Sequence, residues 1–357
     1  MSAFVPTFCP FSGCRTTDPQ DPFQYHRDGT YPRALDGRRV QRFRCRRCRR
    51  RFSSQTFRLD YCLKKPRVNA LVLACLVSKV THRQTARILR IDRKTVHRRL
   101  SLYGPAMRRW HLGLLRLARK RGGLRGSFSL DELETYEHDR RLKPLTVPVL
   151  IHRATRFLVH VETADLPARG SLRPTDAARK TAQENRGGRR ISGSKQAVES
   201  CIAALKVYHA SDQFLQLVVD QKKSYPPIIR RHFGNRISAL IRESSKTKRN
   251  TLNPMFPMNH MLAMLRDQIS RLVRRTWAAS KRQSALRDHL WTFLAWRNYV
   301  RPMFNHTPQR SSAMELGVAA RLYSSADLLR WKWPDRMESS SNGWGQYPLD
   351  HHLIVLA

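Results

Sequence analysis

The sequence Gly126-Ser127-Phe128-Ser129-Leu130-Asp131-Glu132-Leu133-Glu134 decides the fold of the second half of the chain. This stretch predicts a β-strand that ends on adjacent carboxylates. Two more strands are predicted over Val147–His152 and Arg156–Thr163, close enough in sequence to form a meander. Three strands therefore open this part of the chain.

Helices and strands alternate in the residues that follow. Residues 165–194 contain several glycines and prolines and predict a long loop. The later predicted elements are, in order, a helix over Ala197–Val207, a buried strand over Phe214–Val219 that terminates on Asp220, a helix containing Pro226–Phe233, a short strand over Ile237–Ile241, and a helical stretch from about Asn259 to Val300. This order is that of a ribonuclease-H-like α/β domain, predicted for residues 127–310.

Two of these strands carry an aspartate at the predicted carboxyl end. In the ribonuclease-H-like order, Asp131 and Asp220 would lie on neighbouring central strands. Carboxylates placed in this way could bind two Mg²⁺ ions about 3.5–4 Å apart, one activating a nucleophile and the other the leaving oxygen. Any strand can end in aspartate, so either residue alone is weak evidence. The pair in this order predicts metal-dependent phosphoryl transfer.

The net charge of the chain indicates a polyanionic partner. The 357 residues include 68 Lys and Arg against 26 Asp and Glu, a formal net charge of +42. Nucleic acid is the expected partner, because each Lys or Arg that meets a phosphate releases a counterion; a ribosomal-type or chromatin-coating protein would show the same balance. No apolar run approaches the roughly 20 residues of a membrane span, and none near the start is typical of a secretory signal. A cytoplasmic protein is expected.

Four of the seven cysteines have the spacing of a zinc site. They form two short pairs, Cys9-x4-Cys14 and Cys45-x2-Cys48, and two such pairs on facing turns supply the tetrahedral thiolates of a zinc ribbon. A structural Zn²⁺ is therefore predicted in residues 1–60. The remaining cysteines lack partners at metal spacing and are expected to be small buried residues. These are Cys62, Cys75 and Cys201.

Arginines surround the second cysteine pair. Nine of them fall between Arg38 and Arg51, and on a metal-rigidified hairpin they would contact phosphates at low entropic cost. A solvated charge run is the alternative, and it does not account for this density. The predicted DNA contacts here are Arg46, Arg47, Arg49 and Arg50. Such contacts position a protein on DNA and carry little sequence preference.

Residues 61–115 predict a helix-turn-helix. A first helix can begin at Pro66, and Asp92 is a candidate N-cap for a later helix whose inner face is Val96 and Leu100. The outer face of that helix would enter a major groove. Its predicted DNA-contacting residues are Arg93, Lys94, Thr95, His97 and Arg98. An ordinary basic three-helix bundle is the alternative. Residues 116–126 predict a basic linker, and residues 311–357 form a C-terminal tail without informative motifs.

The chain resembles bacterial insertion-sequence transposases of the DDE class, the type that joins a zinc ribbon and a helix-turn-helix to a ribonuclease-H-like domain. Four pieces carry the resemblance: Cys45-x2-Cys48 with Phe52-Ser53 behind it, Leu130-Asp131-Glu132, Val219-Asp220, and the block from Leu265 to Lys281. The resemblance implies DNA transposition with Mg²⁺, or Mn²⁺ in its place. It also implies binding to double-stranded element ends and target DNA, in the bacterial nucleoid. Because transposition joins two ends, at least a homodimer is expected on DNA.

The third metal ligand departs from the family pattern. The family commonly has Glu one or two turns before the Leu265-Arg266 pair, and here that position is Asn259; some relatives have Asn. On a helical period, Asn259 lies about 100° from the apolar stripe and Asp267 about 180° from it, facing solvent. Asn259 is therefore preferred over Asp267. It is also preferred over Glu243, which follows the short predicted strand only 23 residues past Asp220 and precedes the helix. Arg266 shares the face of Asn259, and it and His260 are candidates to contact the scissile phosphate.

Other functions remain open from the sequence. A catalytically inactive, transposase-derived DNA-binding regulator is the main alternative, because Asn stands where a third acid is usual. A simple nuclease would use the same acids. A tyrosine recombinase is disfavoured, because its Arg, His and Tyr constellation is not found at recognisable spacing.

Overall fold

The computed structural model describes residues 4–6, 8–11, 14, 23–244, 246–248, 250–274, 277–306 and 308–330. The chain divides into two compact units, Met1–Arg67 with Ala326–Ala357, and Val68–Ser325. Most of the predicted C-terminal tail, residues 331–357, lies outside the described residues. None of the helices in the described part of the chain has the length and apolar content that a membrane span requires.

The first unit contains a small antiparallel sheet. Its strands are β1 (Tyr25–Pro32), β2 (Arg39–Cys45) and β3 (Arg51–Ser53), paired in that order. Phe43 of β2 stacks on Phe52 of β3 with their ring centroids 5.6 Å apart. So small a sheet buries little apolar surface, and its core combines aromatic rings with the buried cysteines. A module with so small a core depends on an additional cross-link, such as a structural metal ion, for its stability.

The second unit begins with three helices. These are α1 (Asn69–Leu76), α2 (His82–Ile88) and α3 (Arg93–Lys120). Thr81 caps α2 in a capping box with Gln84, and the Asp92 carboxylate accepts a hydrogen bond from the backbone N–H of Lys94 at 2.6 Å, which starts α3. The N-cap predicted at Asp92 is confirmed. Helix α3 continues through Pro105 and into the predicted linker, because its buried face packs along a later helix.

A mixed sheet forms the centre of the second unit. Its main strands are β4 (Ser127–Tyr136), β5 (Pro144–His152), β6 (Leu158–Val161), β8 (Leu215–Asp220) and β9 (Ile237–Glu243), with a short β7 (Ala164–Asp165) beside β5. The spatial order is β6-β5-β4-β8-β9. The β4–β5 and β5–β6 pairs are antiparallel, whereas the β4–β8 and β8–β9 pairs are parallel. The second unit is thus a mixed α/β domain.

Helices connect and cover the strands of this sheet. They are α4 (Pro174–Gly187), α5 (Ser194–Tyr208), α6 (Tyr225–Phe233), α7 (Phe256–Gln268), α8 (Gln283–Tyr299) and the short α9 (Ser312–Glu315). A last short helix, α10 (Ser325–Leu328), begins at the boundary between the two units. Helix α3 packs against α8, and α5 packs on β5 and β6. Gly104 of α3 is needed for this packing, because a Cβ at that position would lie 2.4 Å from the Cα of Asp288.

Three local expectations from the sequence are wrong. The predicted loop 165–194 contains α4, whose Pro174 and Gly187 lie at its two ends, where these residue types are tolerated. The predicted long helix from Asn259 ends at Gln268, because Ile269 takes an extended conformation, and α8 begins only at Gln283. Strand β4 continues five residues past Asp131, because its pairing with β5 extends to Tyr136.

Two expectations about single residues also differ from the structure. Cys201 is buried as predicted, but Cys62 is exposed and Cys75 is only half-buried.

Candidate metal centre and acidic site

The four predicted zinc cysteines lie together in the first unit. The Sγ atoms of Cys9, Cys14, Cys45 and Cys48 are all within 4.8 Å of one another. The Sγ atoms of Cys9 and Cys48 are 3.6 Å apart, and those of Cys14 and Cys45 are 3.7 Å apart. A tetrahedron with Zn–S bonds of about 2.3 Å has edges close to about 3.8 Å. The cluster could therefore hold a metal ion such as zinc.

The backbone and the surroundings of this cluster suit a bound cation. Cys45 ends β2 and Cys48 follows in a tight turn, where Arg49 adopts φ 61°. Burial raises the pKa of the Cys9 thiol, although the backbone N–H of Phe11 opposes the shift. A divalent ion would offset this cost, because metal binding stabilises thiolates. Among the described residues, these cysteines are the only group of three or more His, Cys, Asp or Glu side chains close enough to share an ion.

The predicted phosphate contacts of the first unit adjoin Cys45 and Cys48 in sequence. Arg46, Arg47, Arg49 and Arg50 are all exposed. Nη1 of Arg46 donates to the side-chain oxygen of Gln24 at 3.2 Å, and the guanidinium of Arg50 lies 5.3 Å from the ring centre of Phe11. The cluster therefore presents its arginines to solvent from a short, constrained turn.

The predicted DNA-contacting residues of α3 lie at its amino-terminal end. Arg93, Lys94, His97 and Arg98 are exposed and Thr95 is half-buried. On the opposite face Val96 and Leu100 are fully buried. The next arginine, Arg99, is also buried and its Nε donates to Oδ1 of Asn69 at 2.7 Å. The helix thus divides into an inner apolar face and an outer basic face, as predicted.

This basic face borders a groove of about 670 Å³. The opposite wall comes from the segment before α8, including Lys281 and Arg282, and the exposed indole of Trp277. Beneath the groove, Nη2 of Arg271 hydrogen-bonds Nε2 of His82 at 3.1 Å. Burial, and then the nearby Arg271 charge, lower the pKa of His82 to about 3, so this imidazole is neutral. Arginine and lysine side chains and the indole of Trp277 therefore line part of this groove.

The two predicted catalytic aspartates occupy adjacent positions on parallel strands. Leu130 of β4 is paired with Val219 of β8, and Asp131 and Asp220 are the next residues along the two strands. Paired positions of neighbouring strands point to the same face, and the strands lie about 4.8 Å apart. The two side chains therefore lie side by side at the centre of the sheet.

Glu243 extends this acidic row. It is the register partner of Asp220 in the β8–β9 pair, so the three carboxylates lie on one face across three strands. Oε1 of Glu243 already accepts hydrogen bonds from the Ser244 backbone N–H at 3.0 Å and from the Thr247 hydroxyl. From the sequence, Asn259 is preferred to Glu243 as the third metal ligand. Only the strand register shows that Glu243 lies next to Asp220.

Helix α7 places the other predicted residues around the same strands. Asn259 and Arg266 are seven residues apart and share a helix face, and Nη2 of Arg266 approaches the carbonyl oxygen of Glu134 in β4 at 3.4 Å. Asn259 therefore lies on the side of α7 that faces β4. His260 is exposed on the neighbouring face. The side chain of Asp267 is 63% exposed and pairs with Lys79 at 3.4 Å, so its predicted solvent orientation is confirmed.

The sequence did not predict a buried ion pair next to the aspartates. The Glu132 carboxylate, whose side chain is 8% exposed, pairs with Nζ of Lys222. It also accepts hydrogen bonds from Ser194 at 2.7 Å, Thr146 at 2.9 Å and Tyr225 at 3.0 Å. The sequence signal for this residue is the Leu130-Asp131-Glu132 motif, because Glu132 directly follows a predicted catalytic residue.

The ion pair links the two strands that carry the aspartates. The backbone N–H of Lys222 donates to Oδ1 of Asp220 at 2.9 Å, while Glu132 adjoins Asp131. Burial alone would raise the pKa of Glu132, but hydrogen bonds from Lys222 and Ser194 outweigh it and hold this pKa below its ordinary value. Burial raises the pKa of the Tyr225 phenol, and the charges of Glu132, Asp131 and Asp220 raise it further. Tyr225 is therefore within electrostatic range of three carboxylates, and Lys222 pairs with one of them, Glu132.

Comparisons with known proteins add no assignment. No protein-family model matches the chain, and no curated protein sequence matches it.

Proposed function

We propose that this protein is a DNA transposase that binds the ends of a mobile element and catalyses metal-dependent strand cleavage and strand transfer. The observation that carries the proposal is the parallel β4–β8 register, which makes Asp131 and Asp220 neighbours. The strand order, antiparallel on one side of β4 and parallel on the other, supports a ribonuclease-H-like arrangement. The resemblance of the sequence to insertion-sequence transposases of the DDE class supports the same function.

The acidic site suits a hard divalent cation. Carboxylate oxygens at neighbouring strand positions are the ligands that Mg²⁺ prefers, and Mn²⁺ would fit the same donors. Asp131 and Asp220 would hold the ion, and Asn259 can contribute only a neutral carbonyl oxygen. The ion would activate a nucleophile and stabilise the leaving oxygen of a phosphodiester. Lys222 fixes the segment after Asp220 through its backbone N–H and its pair with Glu132.

The basic surfaces would bind the DNA. In the proposal, α2 and α3 form a helix-turn-helix whose outer face reads element ends, with Arg93 and Arg98 at base edges. The arginines of the zinc ribbon, such as Arg46, contact phosphates without sequence preference. Two or more copies would assemble on paired ends, because transposition joins them. A chain with this function would act in the bacterial nucleoid.

The first experiment separates catalysis from binding. The substrate is a supercoiled plasmid that carries the DNA flanking the coding sequence, and cleavage is measured in Mg²⁺ or Mn²⁺. We expect Asp131→Asn and Asp220→Asn to abolish cleavage and to leave the gel-shift affinity for the flanking DNA unchanged. Asp267→Asn is the matched control, because this acid faces solvent beside Lys79. Full cleavage by Asp220→Asn would refute the site.

A second comparison identifies the third ligand. We expect Asn259→Ala to reduce cleavage and Asn259→Glu to retain or increase it, because Glu adds an anionic oxygen. Glu243→Gln tests the competing acid that the strand register places beside Asp220. Loss of cleavage in Glu243→Gln, together with full cleavage in Asn259→Ala, would transfer the role to Glu243.

A catalytically inactive DNA-binding regulator is the second candidate. The observation that favours it is Asn259, whose neutral side chain stands where a third acid is usual. Such a protein would bind the flanking DNA through α3 and the zinc ribbon without cutting it in either metal. Wild-type binding with no cleavage in Mg²⁺ or Mn²⁺, restored by Asn259→Glu, would favour the regulator.

A further inference from the structure

A cavity of about 450 Å³ opens beside α7, on the helix face that carries His260 and Met264. Its walls are α7, the carboxyl end of α8, residues 302–305 and the turn between β5 and β6. The lining includes Arg156, His260, Met264, Arg297, Arg301 and Phe304. Three arginines and a histidine thus face one space within the second unit.

Arg297 is the most unusual of these residues. It is only 2% exposed. Its Nη1 donates to the Ser312 hydroxyl at 2.9 Å, but its Nε has no hydrogen-bond partner among the described residues. Burying a guanidinium without a carboxylate is costly, and buried charges are normally paired. No acid of the described part of the chain pairs with Arg297, so its buried charge is not balanced there.

The neighbouring cations add further positive charge around Arg297. Arg156 is half-buried and holds a left-handed conformation, φ 57°, at the turn between β5 and β6. Burial, and then the charges of Arg301 and Arg156, lower the pKa of Arg297 to about 10, with no acid opposing them. Burial and the same three arginines lower the pKa of His260. The acid on the cavity wall, Asp267, turns towards Lys79 instead.

We propose that this cavity binds a phosphate group, held by Arg156, Arg297 and Arg301. Guanidinium groups match phosphate in geometry and charge. Arg156 donates to the carbonyl oxygen of Arg153 and Arg301 lies over the ring of Trp296, so one such anion would supply the negative charge that no described acid brings to these arginines. The phosphate comes either from a DNA backbone or from a free phosphate compound. The DNA source rests on the proposed function; the site itself does not.

The first test measures thermal unfolding of the zinc-loaded full chain in sodium phosphate and in sodium chloride of equal ionic strength. We expect phosphate to raise the Tm of the wild type above its value in chloride. Arg301→Gln and Arg156→Gln should each weaken the apparent phosphate affinity at least about tenfold, because a charge-assisted hydrogen bond is lost. Each variant should stay folded in chloride, where it relieves repulsion between like charges. Arg186→Gln, an exposed change of the same charge on α4, is the control.

The second test identifies the source of the phosphate. Affinity for a random-sequence duplex is measured over a range of salt concentrations. If a DNA phosphate occupies the cavity, Arg301→Gln should reduce the slope of log K against log salt by about one, and inorganic phosphate should compete with the duplex. An unchanged slope beside a lost phosphate response would assign the site to a free phosphate compound. The proposal would be overturned if phosphate stabilised the wild type, Arg156→Gln and Arg301→Gln equally. It would also be overturned if phosphate did not stabilise the wild type and Arg301→Gln left the salt slope unchanged. Neither test uses cleavage, so failure of the proposed function would be seen separately.

Discussion

The buried ion pair between Glu132 and Lys222 allows a quantitative prediction. In the wild type, the Lys222 ammonium and the Tyr225 hydroxyl both donate to the Glu132 carboxylate. Glu132→Gln removes the negative charge and replaces one accepting oxygen with an amide NH₂ group, which cannot accept from either donor. A hydrogen bond to a charged group is worth about 1.5–3 kcal/mol. The Lys222 side chain is 36% exposed, so solvent screens part of this value. We expect Glu132→Gln to lower the free energy of unfolding by about 2 kcal/mol.

The reverse change is expected to cost a similar amount. Lys222→Gln leaves the buried Glu132 carboxylate with hydroxyl donors but no cation, at a cost of about 2 kcal/mol. Because the double variant contains neither charge, it should cost about 2 kcal/mol rather than the sum, so the coupling free energy is about 2 kcal/mol. Lys223→Gln changes the adjacent, exposed lysine. It should alter stability by less than about 0.5 kcal/mol.

Equilibrium unfolding in urea, followed by circular dichroism on the zinc-loaded chain, measures all four variants. The pKa of Glu132 lies below its ordinary value of 4.5, so its stabilising charge is present above that pH and is lost as the pH falls through the lowered pKa. The difference between wild type and Glu132→Gln should therefore persist at pH 5 and disappear on further acidification. Additive effects of the two single changes on the free energy of unfolding would show that Glu132 and Lys222 are not coupled. A stability difference between wild type and Glu132→Gln that stays constant on acidification would also contradict the prediction.

Three further predictions test other parts of the structure. Cys45→Ser should remove the bound zinc found by elemental analysis and unfold the first unit alone, whereas a zinc-free wild type would contradict the metal site. Gly104→Ala should destabilise the protein in urea by about 1–3 kcal/mol despite its better helix propensity, because the new Cβ meets α8; Gly187→Ala, with open space around it, should not. Burial raises the pKa of Asp288 to about 6, so its charge destabilises the fold as the pH rises through that value. Asp288→Asn should therefore gain about 1–2 kcal/mol at pH 8 and nothing at pH 4.

The sequence by itself determined the features that depend on local pattern. Cysteine spacing predicted the four-cysteine cluster, because short Cys pairs bring their thiols together through tight turns. The Asp92 cap and the inner face of α3 followed from helical periodicity. The stretch that ends at Asp131 and the apolar run before Asp220 predicted both central strands, and the order of elements predicted that they are neighbours.

Only the tertiary structure decided the features that depend on contacts between distant segments. Propensity could not show that β4 runs past Asp131, since its pairing with β5 sets that length, nor that Pro174 begins a helix rather than a loop. The pair of Glu132 with Lys222 and the arginines around Arg297 join residues that are far apart in the chain. A sequence shows which residues can carry a charge. Their burial and their ion-pair partners are set by the folded environment and cannot be read from it.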